Sequence, residues 1–260
     1  SVSSPTYGKE LFTLAGHTDV IYHLAWSPDG SCLATVSQDG RVKIWNTATG
    51  EEHFALLGHT GAVKSAAWSP LGNRVLTASD DGTAKVWKPD LALLTISGLE
   101  DLEGGVAWSP VGDRIAAGFS NGTARVWDAI TGAELLILSG TESSVFPMPG
   151  WSPSGDRLLT LNLWNVSPDK LSARVWDTTS GRELLTLFGH SGNVFGGGWS
   201  PDGKHIVTGG EGDSTARIWD AETGEEILAF TGHDEGICNA NTVNVVNTSP
   251  KKINFNQRYI

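Results

Sequence analysis

Short apolar runs alternate with turn-forming residues along most of this chain. In residues 187–230 the apolar runs end at Trp199, Thr208, Trp219 and Phe230. The turns between these runs are Ser200-Pro201-Asp202-Gly203, residues 209–214 and Ala221-Glu222-Thr223-Gly224. Proline fixes φ at the second position of such a turn, and glycine supplies the positive φ that a tight turn needs. Four short β-rich runs separated in this way predict a four-stranded antiparallel meander.

The same pattern recurs along the chain, with tryptophan at two fixed positions. A Trp-Ser-Pro triplet follows the first run of each unit, at Trp26, Trp68, Trp108, Trp151 and Trp199. A second tryptophan closes the third run, at Trp45, Trp87, Trp127, Trp176 and Trp219. These two positions hold ten of the 11 tryptophans. The repeat length of roughly 40–45 residues is that of one four-stranded propeller blade.

The motifs that recur are Gly-His, then Trp-Ser-Pro-Asp-Gly, then runs such as Thr-Ala-Arg-Val-Trp-Asp at residues 123–128. In this order they resemble the motifs of the WD-repeat β-propeller, and the resemblance covers about residues 10–234. It implies an all-β fold with one propeller domain over residues 10–260, preceded by a polar tail over residues 1–9. Because the two motifs recur together five times, the resemblance is specific.

The number of blades depends on the two ends of the sequence. In this family the outer strand of the last blade is supplied by the N-terminus, which implies a strand over residues 10–14 and removes the sheet edges. Residues 236–260 contain six asparagines and no tryptophan. We predict six blades, the last one irregular and built from residues 236–258 and 10–14. The alternative is five full blades followed by a tail that forms no blade.

The resemblance also implies a buried hydrogen-bond network in three of the units. Its members are His17, Asp39 and Trp45; His59, Asp81 and Trp87; and His190, Asp213 and Trp219. A hydroxyl of the second strand joins each network, and Thr35 or Ser37, and Thr77 or Ser79, are equally placed for it because residues two apart on a strand share a face. Buried polar groups must be paired, so these histidines are expected to be structural.

The third and fourth units depart from this pattern. Leu99, Phe119 and Asn121 replace the histidine, a serine and the aspartate of the third unit. In the fourth unit Thr141 replaces the histidine, and residues 162–170 are an insertion that carries Trp164. The network is therefore expected in units one, two and five and not in units three and four.

Composition excludes several classes of function. The 260-residue chain has a net charge of −11 and no basic cluster, which argues against nucleic acid as a partner. The cations Lys43, Lys85, Arg125, Arg174 and Arg217 fall one per unit, and we expect them to contact neighbouring blades. There is no run of 18 apolar residues that would span a membrane, no Cys-x-x-Cys spacing and no catalytic motif. We therefore expect no catalytic, cofactor or metal site, and a cytoplasmic location.

The resemblance favours a non-catalytic platform or sensor that binds a protein or peptide. The closely similar units resemble propellers attached to bacterial signalling ATPases, kinases and caspase-like proteins, which implies covalently linked domains outside this sequence and a signalling assembly. Fold alone does not assign function. The alternatives are an enzyme that uses the central channel, and a reader of methyl-lysine or another small ligand that uses aromatic residues on one face.

The predicted binding surface is the rim where each first strand begins and where the second strand turns into the third. The aromatic and polar residues at these positions are Tyr22, Lys64, Phe146, Phe195, Gln38 and Asp80, and the insertion adds Trp164. Aromatic side chains at a polar rim are favoured anchors for a partner. The alternative for Phe146 and Phe195 is that they pack between blades. We expect this rim to receive an extended peptide.

Overall fold

The computed structural model describes residues 9–88, 91–139, 150–161, 172–210 and 213–231, with the backbone alone at residues 103, 104 and 195. Within these residues the protein consists of twenty β-strands in five four-stranded antiparallel sheets. The fold is an all-β array of four-stranded blades, which confirms the fold that the resemblance implies. Each sheet is a simple meander in chain order, because its four strands are joined by tight turns.

The strands of the five blades have the following bounds. Blade 1 contains β1 (Ile21–Trp26), β2 (Cys32–Ser37), β3 (Val42–Asn46) and β4 (Glu52–Leu56). Blade 2 contains β5 (Val63–Trp68), β6 (Val75–Ser79), β7 (Thr83–Lys88) and β8 (Leu91–Ser97). Blade 3 contains β9 (Leu102–Trp108), β10 (Arg114–Phe119), β11 (Thr123–Asp128) and β12 (Glu134–Ser139). Blade 4 contains β13 (Gly150–Trp151), β14 (Arg157–Leu161), β15 (Ser172–Asp177) and β16 (Glu183–Phe188). Blade 5 contains β17 (Val194–Trp199), β18 (His205–Gly210), β19 (Ala216–Asp220) and β20 (Glu226–Phe230).

The Ser-Pro-X-Gly turns between the first and second strands show why this sequence forms hairpins. In blade 5, Gly203 has a φ of 70°, which glycine adopts without strain. The Ser200 hydroxyl donates to Asp202 at 2.6 Å and accepts the backbone N–H of His205 at 2.9 Å. The side chain of the serine thereby satisfies the backbone where the two strands separate.

The core lies between blades. The second and third strands are buried along most of their length, and the third-strand tryptophans are at most 4 % exposed. In one cluster Val36 and Ile44 of blade 1 pack with Val63 and Trp87 of blade 2. Burial of apolar surface between sheets is therefore what holds consecutive blades together.

The first-strand tryptophans add a hydrogen bond between blades. The indole N–H groups of Trp68, Trp108 and Trp199 donate to carbonyls of the preceding blade, at 2.9, 3.2 and 3.0 Å. The acceptors are Ala25, Ala67 and Gly150, each on the first strand of that blade. These bonds fix the relative position of consecutive first strands.

The third-strand cations contact their own blade, so the expected contacts with neighbouring blades are wrong. Lys43, Arg125, Arg174 and Arg217 pair with a glutamate nine residues later, at the start of the fourth strand. The Arg174–Glu183 distance is 2.7 Å, and Lys85 donates to Thr95 at 3.1 Å. Adjacent antiparallel strands bring these side chains together.

The predicted strand over residues 10–14 is absent, because a strand needs a hydrogen-bonded neighbour and no described strand lies beside these residues. They nevertheless occupy the place of an outer strand. A Cβ added at Gly50 of blade 1 would lie 2.6 Å from the Phe12 ring. In the same way, a Cβ added at Gly132 of blade 3 would lie 2.8 Å from Leu94, which belongs to the outer strand of blade 2. Residues 236–258, which the sixth blade requires, lie outside the described residues, as does the insertion over residues 162–170.

Candidate functional site

The turns between second and third strands lie at the end of each blade where the first strand begins. In blade 2 the Asp81 carboxylate occupies this turn and accepts the backbone N–H groups of Thr60 and Thr83, both at 3.0 Å. It also contacts His59 Nδ1 at 2.8 Å. One carboxylate therefore joins this turn to the loop that enters the first strand.

The rest of the network runs inward from that turn. His59 Nε2 lies 2.8 Å from the Thr77 hydroxyl, which accepts the Trp87 indole N–H at 2.8 Å. All donors and acceptors are satisfied when the indole donates to the threonine, the threonine to a neutral histidine, and the histidine Nδ1–H to the carboxylate. A chain of hydrogen bonds with one direction has one low-energy geometry, so it fixes the turn.

Blades 1 and 5 contain the same network. His17 contacts Asp39 at 2.9 Å and Thr35 at 2.8 Å, and His190 contacts Asp213 at 2.9 Å and Thr208 at 2.8 Å. The indoles of Trp45 and Trp219 donate to the same threonines at 2.8 Å. The hydroxyl in the network is thus that of Thr35 or Thr77, while Ser37 and Ser79 accept backbone N–H groups of the turn.

Charge in these networks is set by burial and hydrogen bonding. Burial lowers the pKa of His59 and of His190, although the neighbouring aspartates oppose this effect. Burial opposes ionisation of the aspartates, but hydrogen bonds lower the pKa of Asp39 and of Asp81 to about 2. The donors are backbone N–H groups and the histidines and, at Asp81, also the Thr83 hydroxyl. At neutral pH the pairs of blades 2 and 5 are each a neutral imidazole beside a carboxylate, which is a structural arrangement.

Blades 3 and 4 differ from each other. In blade 3 Leu99 and Phe119 are almost fully buried, and Ala117 takes the place of the threonine, so apolar packing replaces the network. In blade 4 Trp176 still donates to Thr160 at 2.8 Å. The expectation that nothing of the network remains in blade 4 is therefore wrong, because Thr160 lies on the regular strand β14. Thr141 lies outside the described residues.

Four of the predicted rim residues form one cluster across blades 1 and 2. The Tyr22 hydroxyl donates to Gln38 Oε1 at 2.6 Å. Lys64 Nζ lies 4.0 Å from the centre of the Tyr22 ring and 3.2 Å from Asp80 Oδ2. Partial burial opposes charge on this lysine, yet its contacts with Asp80 and Tyr22 raise the pKa of Lys64. The sequence places these residues on one rim but does not predict that the lysine stacks on the ring.

The rim cluster, defined as Tyr22, Gln38, Lys64 and Asp80, stands directly on the networks. Gln38 precedes Asp39 and Asp80 precedes Asp81 in the turns that the aspartates hold. The Tyr22 side chain is 41 % exposed. Phe195 lies in β17, where only its backbone is described, and Phe146 and Trp164 lie outside the described residues. Of the seven rim residues predicted from the sequence, the side chains of Tyr22, Lys64, Gln38 and Asp80 are thus the ones that the structure describes.

Other site chemistry is limited in the described part of the chain. These residues contain no group of three or more His, Cys, Asp or Glu side chains able to hold a metal ion. The same ranges contain no helix of the length and apolar character that a membrane span requires.

Comparison with known proteins places the repeats in a family. A sequence model described as "WD domain, G-beta repeat" matches residues 8–46, 50–88, 104–128 and 181–220, which is more than half of the chain. Coronin-7 of Rattus norvegicus is 56 % identical over 39 residues, which are 15 % of this chain and 4 % of coronin-7. A guanine nucleotide-binding protein subunit beta of Arabidopsis thaliana is 46 % identical over 37 residues, which are 14 % of this chain and 10 % of that subunit. Each match spans about one repeat.

Proposed function

This chain belongs to the WD-repeat family, and we propose that it is a non-catalytic platform that binds a protein or peptide partner within a larger signalling assembly. WD repeats are in general protein-interaction modules. The finer statements, that the assembly is one of signalling, that the protein is cytoplasmic and that the module acts as a sensor or scaffold, rest on its resemblance to propellers of signalling proteins.

One observation carries the location of the binding site. The rim cluster brings an aromatic ring, an ammonium group, a carboxylate and an amide to the exposed end of two adjacent blades. The networks below hold both turns rigid. A rigid aromatic side chain with polar neighbours is the usual centre of a protein interface. Because little conformational entropy remains to be lost there, binding at this cluster is favoured over binding at a flexible loop.

An extended peptide fits the chemistry of the cluster. Its backbone amide groups can bond to Gln38 and Asp80, while one of its side chains packs on Tyr22. Lys64 covers one face of the Tyr22 ring, and this contact is worth only about 0.5–1 kcal/mol at an exposed site. A partner can therefore displace the lysine at little cost and pair with Asp80.

The contact between the Lys64 ammonium group and the Tyr22 ring also bears on the alternative function, that of a methyl-lysine reader. Lys64 Nζ at 4.0 Å from Tyr22 demonstrates that this ring accepts a cation. A methyl-lysine reader surrounds its ligand with several aromatic rings, and Tyr22 is the one aromatic side chain of the rim whose position is described. The cation contact thus favours recognition of a lysine side chain within a longer peptide.

The experiment compares the parent with a Tyr22→Ala, Lys64→Ala double variant. Cross-linking in cells of the source organism identifies proteins bound by the parent, and calorimetry with each purified candidate then measures affinity. We expect the double variant to bind at least about tenfold more weakly.

Lys204→Ala is the matched control, because Lys204 is exposed in a turn at the other end of blade 5. It should bind as the parent does, and urea unfolding should show both variants folded. A genuine partner that binds the double variant as tightly as the parent would place the binding surface elsewhere.

A further inference from the structure

Apolar side chains are exposed at the end of blades 2 and 3 opposite the rim cluster. Among the described residues, six large apolar side chains are more than 60 % exposed. Four of the six lie at this one end: Leu71 (80 %), Leu91 (61 %), Val111 (70 %) and Ile130 (72 %). We call these four residues the turn patch. Exposed apolar residues concentrated in this way mark an interaction surface.

The turns that carry the turn patch touch one another. A Cβ at Gly112, beside Val111, would lie 3.3 Å from Pro70, beside Leu71. The backbone N–H of Ala129, beside Ile130, donates to the Asp113 carbonyl at 2.9 Å. Leu91 is paired with Lys88 at the same end of blade 2. The turns that carry Leu71, Val111 and Ile130 therefore adjoin one another, and Leu91 lies at the same end of blade 2.

The fold does not require apolar residues at these positions. The equivalents of Leu71 and Val111 in the other blades are Asp29, Ser154 and Asp202, and those of Ile130 are Ala48, Thr179 and Glu222. Asp29 and Asp202 accept the hydroxyl of the turn serine. In blades 2 and 3 Asn73 and Asp113 accept it instead. Leu71 and Val111 are thus released from a structural role and turned towards solvent.

Among the described residues around the turn patch, cations predominate on blade 2 and carboxylates on blade 3. Arg74 and Lys88 lie on blade 2, and neither forms an ion pair within the described residues. Arg114 and Arg157 occupy the position of Arg74 in blades 3 and 4. Each of them donates to a carbonyl of the next blade, at 2.7 and 2.6 Å. Asp113 and Asp128 lie on blade 3 together with Arg114, whose Nε is 4.0 Å from Asp113 Oδ2. Backbone N–H groups of Thr131 and Ile130 lower the pKa of Asp128, so this carboxylate is ionised at neutral pH.

We propose that the turn patch is the interface between two copies of this chain. In a two-fold dimer the same patch meets itself, so that blade 2 of each copy faces blade 3 of its partner. Cationic Arg74 and Lys88 then face anionic Asp113 and Asp128 twice, and the apolar side chains meet at the centre. Such a pairing also offsets the repulsion expected between two chains of charge −11. The two rim clusters point away from the interface and stay free.

The test is the oligomeric state of the whole chain by sedimentation velocity, from about 1 to 100 µM. We expect a concentration-dependent dimer. The Leu71→Asp, Val111→Asp double variant places in blades 2 and 3 the residue found in blades 1 and 5, so it should fold. It should weaken the dimer by about tenfold or more. Arg74→Glu with Lys88→Glu should weaken it independently by removing the charge complementarity.

Leu57→Asp is the matched control, because Leu57 is 68 % exposed and lies at the opposite end of blade 1. This variant should remain dimeric. A parent chain that stays monomeric over the whole range would overturn the proposal, as would a dimer that survives in the Leu71→Asp, Val111→Asp variant. A dimer abolished only by Trp26→Gln would place the interface on the exposed side of blade 1 instead.

Discussion

His59 shows how one side chain can hold a turn. Its ring joins Asp81 in the turn to Thr77 on the strand. His59→Ala removes one hydrogen bond from each of these two partners in a buried site and leaves a cavity, so we predict a loss of about 2–3 kcal/mol in the free energy of unfolding. Urea unfolding measures this loss. The exposed His53, changed to alanine, is the control. A loss below about 0.5 kcal/mol for His59→Ala would mean that the network does not form.

Protonation of the same residues predicts how stability changes with pH. Burial lowers the pKa of His59 and of His190 below the value of 6.5 expected in the unfolded chain. The unfolded state therefore takes up protons first, and the free energy of unfolding should fall as the pH drops below about 6.5. Asp39 and Asp81 have a pKa of about 2 in the folded protein and of 3.8 in the unfolded chain. The free energy of unfolding should therefore fall further as the pH drops from 3.8 to about 2.

Urea unfolding at pH 7.5 and at about pH 5.5 checks the histidine part. The His59→Gln, His190→Gln double variant should be less stable than the parent at pH 7.5 and should change less between the two values. A parent chain with equal stability at both would contradict the lowered pKa values.

The choice between Thr35 and Ser37 illustrates what sequence cannot resolve at the residue scale. Both side chains lie on the same face of β2, and only the position of the Trp45 indole selects Thr35. The stacking of Lys64 on Tyr22 has the same cause. It depends on the lateral distance between two blades, whereas hydrophobic periodicity reports on one blade at a time.

At the scale of the blade, the hydrogen bond between threonine and tryptophan is present even in blade 4, where Thr141 replaces the histidine. Blade 4 retains the Trp176–Thr160 bond, whereas blade 2 has the full chain through Thr77. Thr160→Val should lower the free energy of unfolding by about 1–3 kcal/mol, because it leaves the buried indole N–H unpaired. Thr77→Val should cost more, since it also leaves His59 Nε2 without its partner. Valine keeps the shape of threonine in both cases, and urea unfolding compares them. Equal losses would show that the histidine bond contributes nothing.

The blades themselves were predictable, because each is defined locally. Glycine turns, alternating apolar runs and two tryptophan positions predicted the four strands of residues 187–230, and β17 to β20 follow them. Residues 10–14 were not predictable in the same way. Phe12 takes the place of an outer strand against Gly50, yet regular hydrogen bonding there needs a neighbour from a distant part of the chain.

At the scale of the whole molecule, the described blades leave one side open. Trp26 is 54 % exposed, whereas Trp108 and Trp199, at equivalent positions, are 8 % and 7 % exposed. On blade 5, Leu228 is 44 % exposed, while its equivalent Leu185 lies against Gly224 of the next blade. A sixth sheet between blades 5 and 1 would cover both surfaces and would provide residues 10–14 with a neighbouring strand.

Six-blade closure therefore stays a prediction, and Trp26 provides its test. If the chain after Thr231 forms the first three strands of a sixth blade, the Trp26 indole gains a carbonyl acceptor, as Trp108 has in Ala67. Trp26→Phe should then cost about 1–2 kcal/mol in the full chain, close to the cost of Trp108→Phe. In a chain ended after Thr231 the cost of Trp26→Phe should nearly vanish, while that of Trp108→Phe should persist. A small and equal cost of Trp26→Phe in both chains would mean that nothing after Thr231 packs on blade 1, and that the five-blade alternative holds.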